Sequence, residues 1–211
     1  TAVNTTNAPI IATIVVTPSA NNCVGTPETF TITVNPTPTV DAVLNQTLCN
    51  GSLSTDITFA SNFGVSGTTY TWTNSNPLIG LTPTSGVGNI PAFTATNEGA
   101  TAITSTISVI SSANGCSRAA ETFTITVNPS PAVTFTPTNQ SICSGDSSAL
   151  VTLGSSTSGA TYSWTAVQPT DIIGVLTSGT TTIPVQTLTN ASSVPITITY
   201  NATATIAGGA T

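Results

Sequence analysis

Residues 28–36 read ETFTITVNP, and residues 121–129 read ETFTITVNP again, 93 positions later. In this segment Phe, Ile and Val alternate with Thr, which is the pattern of a strand with one buried face. Other residues recur within one position of the same spacing: Asn4, Asn97 and Asn190; Cys23 and Cys116; Cys49 and Cys143; Trp72 and Trp164. Self-similarity at a fixed period predicts a tandem array of one structural unit.

The period divides the chain into three parts. Residues 1–38 are predicted to be the C-terminal strands of an upstream repeat, residues 39–131 a complete repeat, and residues 132–211 a repeat that lacks its last strand or strands. The favoured interpretation is a window on a longer polypeptide. The alternative is a polymer in which strands from residues 1–38 complete the open third repeat of a neighbouring chain.

Alternating apolar residues predict the strands of the complete repeat. The candidates are residues 43–48, 53–59, 70–72, 90–94, 101–111 and 121–127, with 78–81 as a weaker seventh. Clusters of Asn, Gly and Ser, including residues 85–89, are predicted turns. This pattern favours an all-β fold of tandem seven-stranded immunoglobulin-like β-sandwich repeats joined end to end. Trp72 and Trp164 are the predicted core anchors of successive sandwiches.

The composition excludes several classes of function. Only 4% of the residues are charged, seven acidic and one basic, against about 25% in ordinary soluble domains. With Arg118 as its one basic residue, the chain cannot neutralise nucleic-acid phosphates or bind an anionic membrane surface. No apolar stretch is long enough to span a bilayer. The chain has no His or Lys to act as a general base and no calcium motif, so we expect a non-enzymatic protein without cofactor or metal.

The four cysteines predict a disulfide frame, as in other repeated, extracellular-type sequences. The repeat selects a Cys49–Cys116 bond within residues 39–131, with one such pair in each repeat. The partner of Cys23 is then expected upstream, and that of Cys143 near where the sequence stops. Zinc is the alternative, but it needs four clustered ligands, and the chain has no His and no CxxC pair.

Two prolines in three residues mark each junction, at Pro36 and Pro38 and again at Pro129 and Pro131. Proline fixes its own φ and favours extended geometry in the residue before it. We therefore expect each last strand to pass into the next repeat through a short, stiff linker.

Four elements carry a resemblance to a known family: LCNG at 48–51, TYTW at 69–72, ANGC at 113–116 and ETFTITVNPSP at 121–131. They resemble the PKD-like, immunoglobulin-type repeats of very large Bacteroidetes surface proteins, including the adhesins used in gliding motility. The resemblance covers the whole chain. It implies export to the cell surface by type IX secretion and a role as a stalk or filament.

The expected function is that of a non-catalytic, extracellular repeat of a cell-surface adhesin, acting as a stiff stalk that extends an adhesive tip. The expected partners are neighbouring repeats of the same chain, with other filament subunits or surface glycans as further candidates. Two alternatives remain open: a carbohydrate-binding sandwich and a filament subunit assembled by strand exchange. An aromatic platform for glycans is not evident, because only 5% of the residues are aromatic and Tyr70 and Trp72 share one strand face.

Overall fold

The computed structural model describes residues 1–206, and their backbone is almost entirely strand, turn and loop. Residues 1–38 contain β1 (Ile10–Val16), β2 (Ser19–Ala20), β3 (Cys23–Val24) and β4 (Glu28–Val34). Residues 39–131 contain β5 (Gln46–Cys49), β6 (Thr69–Asn74), β7 (Ser85–Val87), β8 (Ile103–Ala113), β9 (Cys116–Ser117) and β10 (Glu121–Asn128), with a 3-10 helix at Pro77–Ile79. The remaining strands are β11 (Thr134–Thr136), β12 (Val151–Gly154), β13 (Thr161–Ala166), β14 (Ile172–Ile173), β15 (Ser178–Thr180), β16 (Thr182–Ile183), β17 (Thr189–Asn190) and β18 (Tyr200–Thr205). The predicted all-β fold is confirmed.

The chain divides into two compact units. The first comprises Thr1–Gln46, Leu53–Ala95 and Thr104–Thr126, and the second comprises Thr47–Ser52, Thr96–Ile103 and Val127–Thr211. The division cuts through β5, β8 and β10 near one end of the middle repeat. The segments at that end, where the last strand leaves, therefore belong to the second unit.

One sheet organises the middle repeat, in the strand order β5-β10-β8-β6-β7, with β9 paired to the end of β8. The neighbours β5 and β10 run in the same direction. Asn45 Oδ1 accepts the Thr124 N–H at 2.8 Å, and further along both strands the Asn50 N–H donates to the Asn128 carbonyl at 2.8 Å. The first and last strands of this sheet are thus parallel and adjacent.

The opposite layer is formed by residues 53–59 and 90–94, for which the sequence predicted two strands. The structure joins them only by isolated bridges, one of which pairs Ile57 with Ile90. Beside it, the Ser54 N–H donates to the Phe93 carbonyl at 2.9 Å, but the Phe93 N–H donates to the Ser54 hydroxyl at 2.9 Å. A side-chain acceptor here replaces a backbone partner, so the segments are extended without forming a regular ladder.

The two layers enclose one apolar core in the middle repeat. Its members come from five of the predicted segments, 53–59, 78–81, 90–94, 101–111 and 121–127: Ile57, Ile79, Ile90, Ile107, Val109, Phe123, Ile125 and Val127. Ile107, Ile125 and Val127 are 0% exposed. Removing each such side chain from water stabilises the fold by about 1.5–3 kcal/mol before entropy is counted.

The two tryptophans lie in equivalent places, with Trp72 5% and Trp164 2% exposed. Trp72 lies opposite Gly86 on β7, and Trp164 lies opposite Gly179 on β15. A Cβ atom built on Gly86 would come within 2.4 Å of the Trp72 ring, and one on Gly179 within 2.5 Å of the Trp164 ring. Each indole therefore lies beneath a strand that only glycine can form at that point. The strand over Trp72 is β7, and it lies within residues 85–89, which the sequence predicted as a turn.

We expect Gly86→Ala to destabilise the middle repeat by about 2–3 kcal/mol, because the added methyl group overpacks the indole. Urea unfolding measures the effect, with Trp72 fluorescence as the readout in a Trp164→Phe background. The exposed neighbour provides the control: Ser85→Ala should change stability by less than about 0.5 kcal/mol. Equal unfolding midpoints for the two variants would show that the close approach of β7 to the indole is not required.

Candidate functional site: an asparagine clasp at the last strand

The described residues contain no group of three or more His, Cys, Asp or Glu side chains that could hold a metal ion. Burial raises the pKa of the Tyr70 phenol above its ordinary value, and the negative charge of Asp41 adds to the rise. The carboxylate of Asp41 accepts the Asn62 N–H through both oxygens, at 3.1 and 3.0 Å. The hydrogen bonds of Asp41 hold the loop that contains Asn62. The buried tryptophans, in turn, present no indole face to a glycan.

A polar side chain with several partners lies instead at the end of β10. Asn97 is 3% exposed, and its Nδ2 donates to the Thr101 carbonyl at 2.8 Å and to the Val127 carbonyl at 2.7 Å. Its Oδ1 accepts the Gly99 N–H at 3.0 Å, and its own N–H donates to Asn50 Oδ1 at 2.8 Å. We call Asn97 with these four partners the Asn97 clasp. It fastens the end of the last strand to the loop before β8 and to the turn after β5.

The turn after β5 has the local chemistry that this position requires. Gly51 adopts a φ of 82°, a left-handed conformation that glycine tolerates without strain. The Ser52 N–H and hydroxyl both donate to the Cys49 carbonyl, at 3.0 and 2.7 Å. The tight turn presents the Asn50 side chain to Asn97 and the Asn50 N–H to β10. This turn holds one end of the β5–β10 pair, and the hydrogen bond between Asn45 and Thr124 holds the other.

The same contact recurs at the repeat spacing. Asn4 Nδ2 donates to the Val34 carbonyl at 2.7 Å, at the end of β4, and to the Ala8 carbonyl at 2.8 Å. Asn190 Nδ2 donates to the Val194 carbonyl at 2.8 Å. The sequence marked these three asparagines by their spacing, but it did not indicate what they bind. A polar residue repeated in register beside apolar strands was the available signal.

The cysteines do not form the predicted frame. Cys116 carries a free thiol, so the predicted Cys49–Cys116 bond is not formed in the structure. Cys23 and Cys143 are exposed free thiols. The thiols of Cys23, Cys116 and Cys143 can therefore react with a partner outside their own repeat.

Strand direction explains why the predicted bond fails. Cys49 ends β5 next to Asn50, beside Asn128, whereas Cys116 pairs with Ala113 at the opposite end of β8. The part of β8 between these ends spans about 30 Å at roughly 3.3 Å per residue. A disulfide needs Cα atoms within about 7 Å. Because β5 is parallel to β10, it carries Cys49 away from Cys116, and the prediction of this bond is corrected.

The fold and the clasp define a class: immunoglobulin-like β-sandwich modules whose polar side chains fasten strands to one another. The sequence matches the PKD-like domain family over residues 46–131 and 140–211, which is more than half of the chain. The protein therefore belongs to the PKD-like domain family and contains the domain in tandem. Domains of this family are generally non-catalytic structural modules and typically extracellular.

Two further findings concern similarity to curated proteins and membrane-spanning helices. No curated protein matches the chain. Within residues 1–206, no helix is long and apolar enough to cross a membrane.

We expect Asn97→Ala to destabilise the middle repeat by about 2–4 kcal/mol, because the buried Val127 carbonyl loses the Asn97 donor, and the more accessible Thr101 carbonyl loses it as well. Urea unfolding by Trp72 fluorescence, again in the Trp164→Phe background, gives the free energy. Asn190→Ala is the matched variant in the third repeat, and it is measured by Trp164 fluorescence in a Trp72→Phe background. The hydrogen bond from Asn190 Nδ2 to the Val194 carbonyl is exposed and water can replace it, so the substitution should cost less than about 1 kcal/mol. Equal losses for the two asparagines would contradict the role assigned to the Val127 contact.

Proposed function

We propose that the chain is a stretch of a secreted cell-surface adhesin or filament, in which PKD-like sandwiches form a stiff stalk that extends an adhesive tip. One observation carries the proposal: β5 and β10, the first and last strands of the sheet in the middle repeat, are adjacent and parallel. The resemblance to gliding adhesins of Bacteroidetes adds export by type IX secretion to the proposal.

The middle repeat is entered and left at opposite ends of its sheet. At the entrance, the Ser111 hydroxyl donates to the Pro38 carbonyl at 3.1 Å, and Asn35 Nδ2 donates to the Asn114 carbonyl at 2.9 Å. At the exit, the chain leaves after Asn128, beside the Asn97 clasp. Tension along the chain would pull β5 towards the entrance and β10 towards the exit. Their hydrogen bonds are then loaded together in shear, and do not open one after another.

The first junction supports stiffness. Pro36 and Pro38, which follow β4, are both fully buried. A packed linker with fixed φ angles does not act as a flexible tether. Bending at this junction would expose both prolines to water, and the contacts of Ser111 and Asn35 would be lost.

Single-molecule stretching of the full chain by its termini tests the proposal. The middle repeat should unfold in one event that releases about 30 nm, the extended length of its residues. Asn97→Ala should lower the unfolding force, whereas the exposed Asn62→Ala should leave it unchanged. Extension of the chain without a resolved force peak would contradict a stalk.

The direction of the force provides an internal control. In a chain with Cys23, Cys49 and Cys143 changed to Ser, one handle can be attached at Cys116 and the other at the N-terminus. Both handles then pull from the entrance end, so the strands should peel apart at a lower force than under tension between the termini. Equal forces in the two geometries would argue against shear of β5 and β10 as the source of resistance.

Assembly by strand exchange is a second candidate, favoured by a groove of about 540 Å³ in the third repeat, lined by apolar residues that include Ile183, Ile198 and Tyr200. A strand with the sequence of β10 fits this place by register, and β4 has the same sequence. In this hypothesis β4 of a second copy fills the groove, whereas in a stalk the next segment of the same polypeptide does. Analytical ultracentrifugation distinguishes them: exchange predicts concentration-dependent oligomers of the 211-residue chain.

A further inference from the structure

The repeat carries cysteines at two recurring positions, and the structure places them at opposite ends. Cys49 and Cys143 share one position, and Cys23 and Cys116 share the other. Cys49, which is half-buried, ends β5 at the exit of the middle repeat, next to Asn50 and Asn128. A bond between the two positions of one repeat is excluded by the length of β8.

The second position lies at the entrance, against the preceding repeat. Cys116 follows the tight turn at the tip of the β8–β9 hairpin, where Ala113 is its strand partner. Asn114, in the same turn, accepts the Asn35 side-chain N–H at 2.9 Å. Asn35 immediately follows β4, the last strand of the preceding repeat. Within the first unit, the hairpin that carries Cys116 therefore touches the exit of the repeat before it.

The second unit shows the same arrangement one repeat later. A cavity of about 290 Å³ is bounded by Thr101, Asn128 and Pro129 at the exit of the middle repeat and by Ile206 of the third. At the repeat spacing of 93, Ile206 is the counterpart of Ala113, at the base of the hairpin tip. Ile206 of the following repeat thus lies at the end of the sheet where the middle repeat is left, the end that also carries Cys49. Each junction shows one of the two cysteine positions: Cys116 lies against the exit of the preceding repeat, and Cys49 lies at the exit that meets the following one.

We propose that the disulfides of this array join successive repeats, from the Cys49 position of one repeat to the Cys116 position of the next. Each bond forms when two thiols lose two protons and two electrons to the disulfide of an exported thiol oxidoreductase, which leaves as a dithiol. An oxidising extracellular compartment maintains such bonds. They would lock each proline junction covalently. In this chain residue 209, the third repeat's counterpart of Cys116, is Gly, so the junction after Cys49 holds one cysteine and the second has to be supplied to test the pairing.

A completed third repeat tests the proposal in the full chain. Residues 113–131 are copied directly after Thr205, which closes the third repeat with its own hairpin cysteine and last strand. The folded, air-oxidised protein is digested without reduction, and the cross-linked peptides are identified by mass spectrometry. We expect the peptide containing Cys49 to be joined to the one containing the grafted cysteine.

Two single variants make the outcome unambiguous. Cys49→Ser should abolish the cross-link to the grafted cysteine, and Cys143→Ser should leave it intact. A bond between Cys143 and the grafted cysteine would overturn the proposal in favour of pairing within a repeat. A protein with native circular dichroism that stays fully reduced under the same conditions would overturn it as well. Neither result bears on the stalk, whose test is the unfolding force.

Discussion

The pairing of β10 between β5 and β8 is the interaction on which the middle repeat depends. Its effect is visible by comparison with residues 132–206, where β18 pairs with β13 but no described strand lies on its other side. Ile107 on β8 is 0% exposed, whereas its counterpart Tyr200 on β18 is only half-buried. The buried residues of the third repeat fall into two small clusters, one around Trp164 and one around Ile172. Without a strand in the place of β10, the half-buried Tyr200 lies between these two clusters and packs against both.

The cores of the middle and third repeats differ at two positions, where a hydrogen-bonded polar pair in one is replaced by two apolar residues in the other. In the middle repeat, buried Ser105 donates to Asn74 Oδ1, and Asn74 Nδ2 donates to the Leu81 carbonyl at 2.8 Å. In the third repeat the corresponding residues are Ala166 and Ile198, which pack in one apolar cluster. Both polar partners are replaced together. A change of only one would leave a buried polar group without a partner, at a cost of about 1–3 kcal/mol.

Much of this fold could be predicted from the sequence, because local alternation reports which face of a strand is buried. Phe123, Ile125 and Val127 lie in the core as their spacing predicted. Contacts between distant segments could not be predicted. The sequence does not reveal that β5 runs parallel to β10, which is why the pairing of Cys49 with Cys116 was wrong. Nor does it reveal that the Trp72 ring lies under Gly86, so that segment was interpreted as a turn.

Native-state hydrogen exchange tests the central role of β10 most directly, because it compares equivalent strands within one molecule. Amides of β8, including those of Ile107 and Val109, should exchange only through global unfolding of the repeat. Amides of β18, including those of Tyr200 and Ala202, should exchange at least roughly 100-fold faster, because opening a sandwich without the last strand costs much less free energy. Equal protection of β8 and β18 would show that the sandwich closes without β10, and would contradict the account.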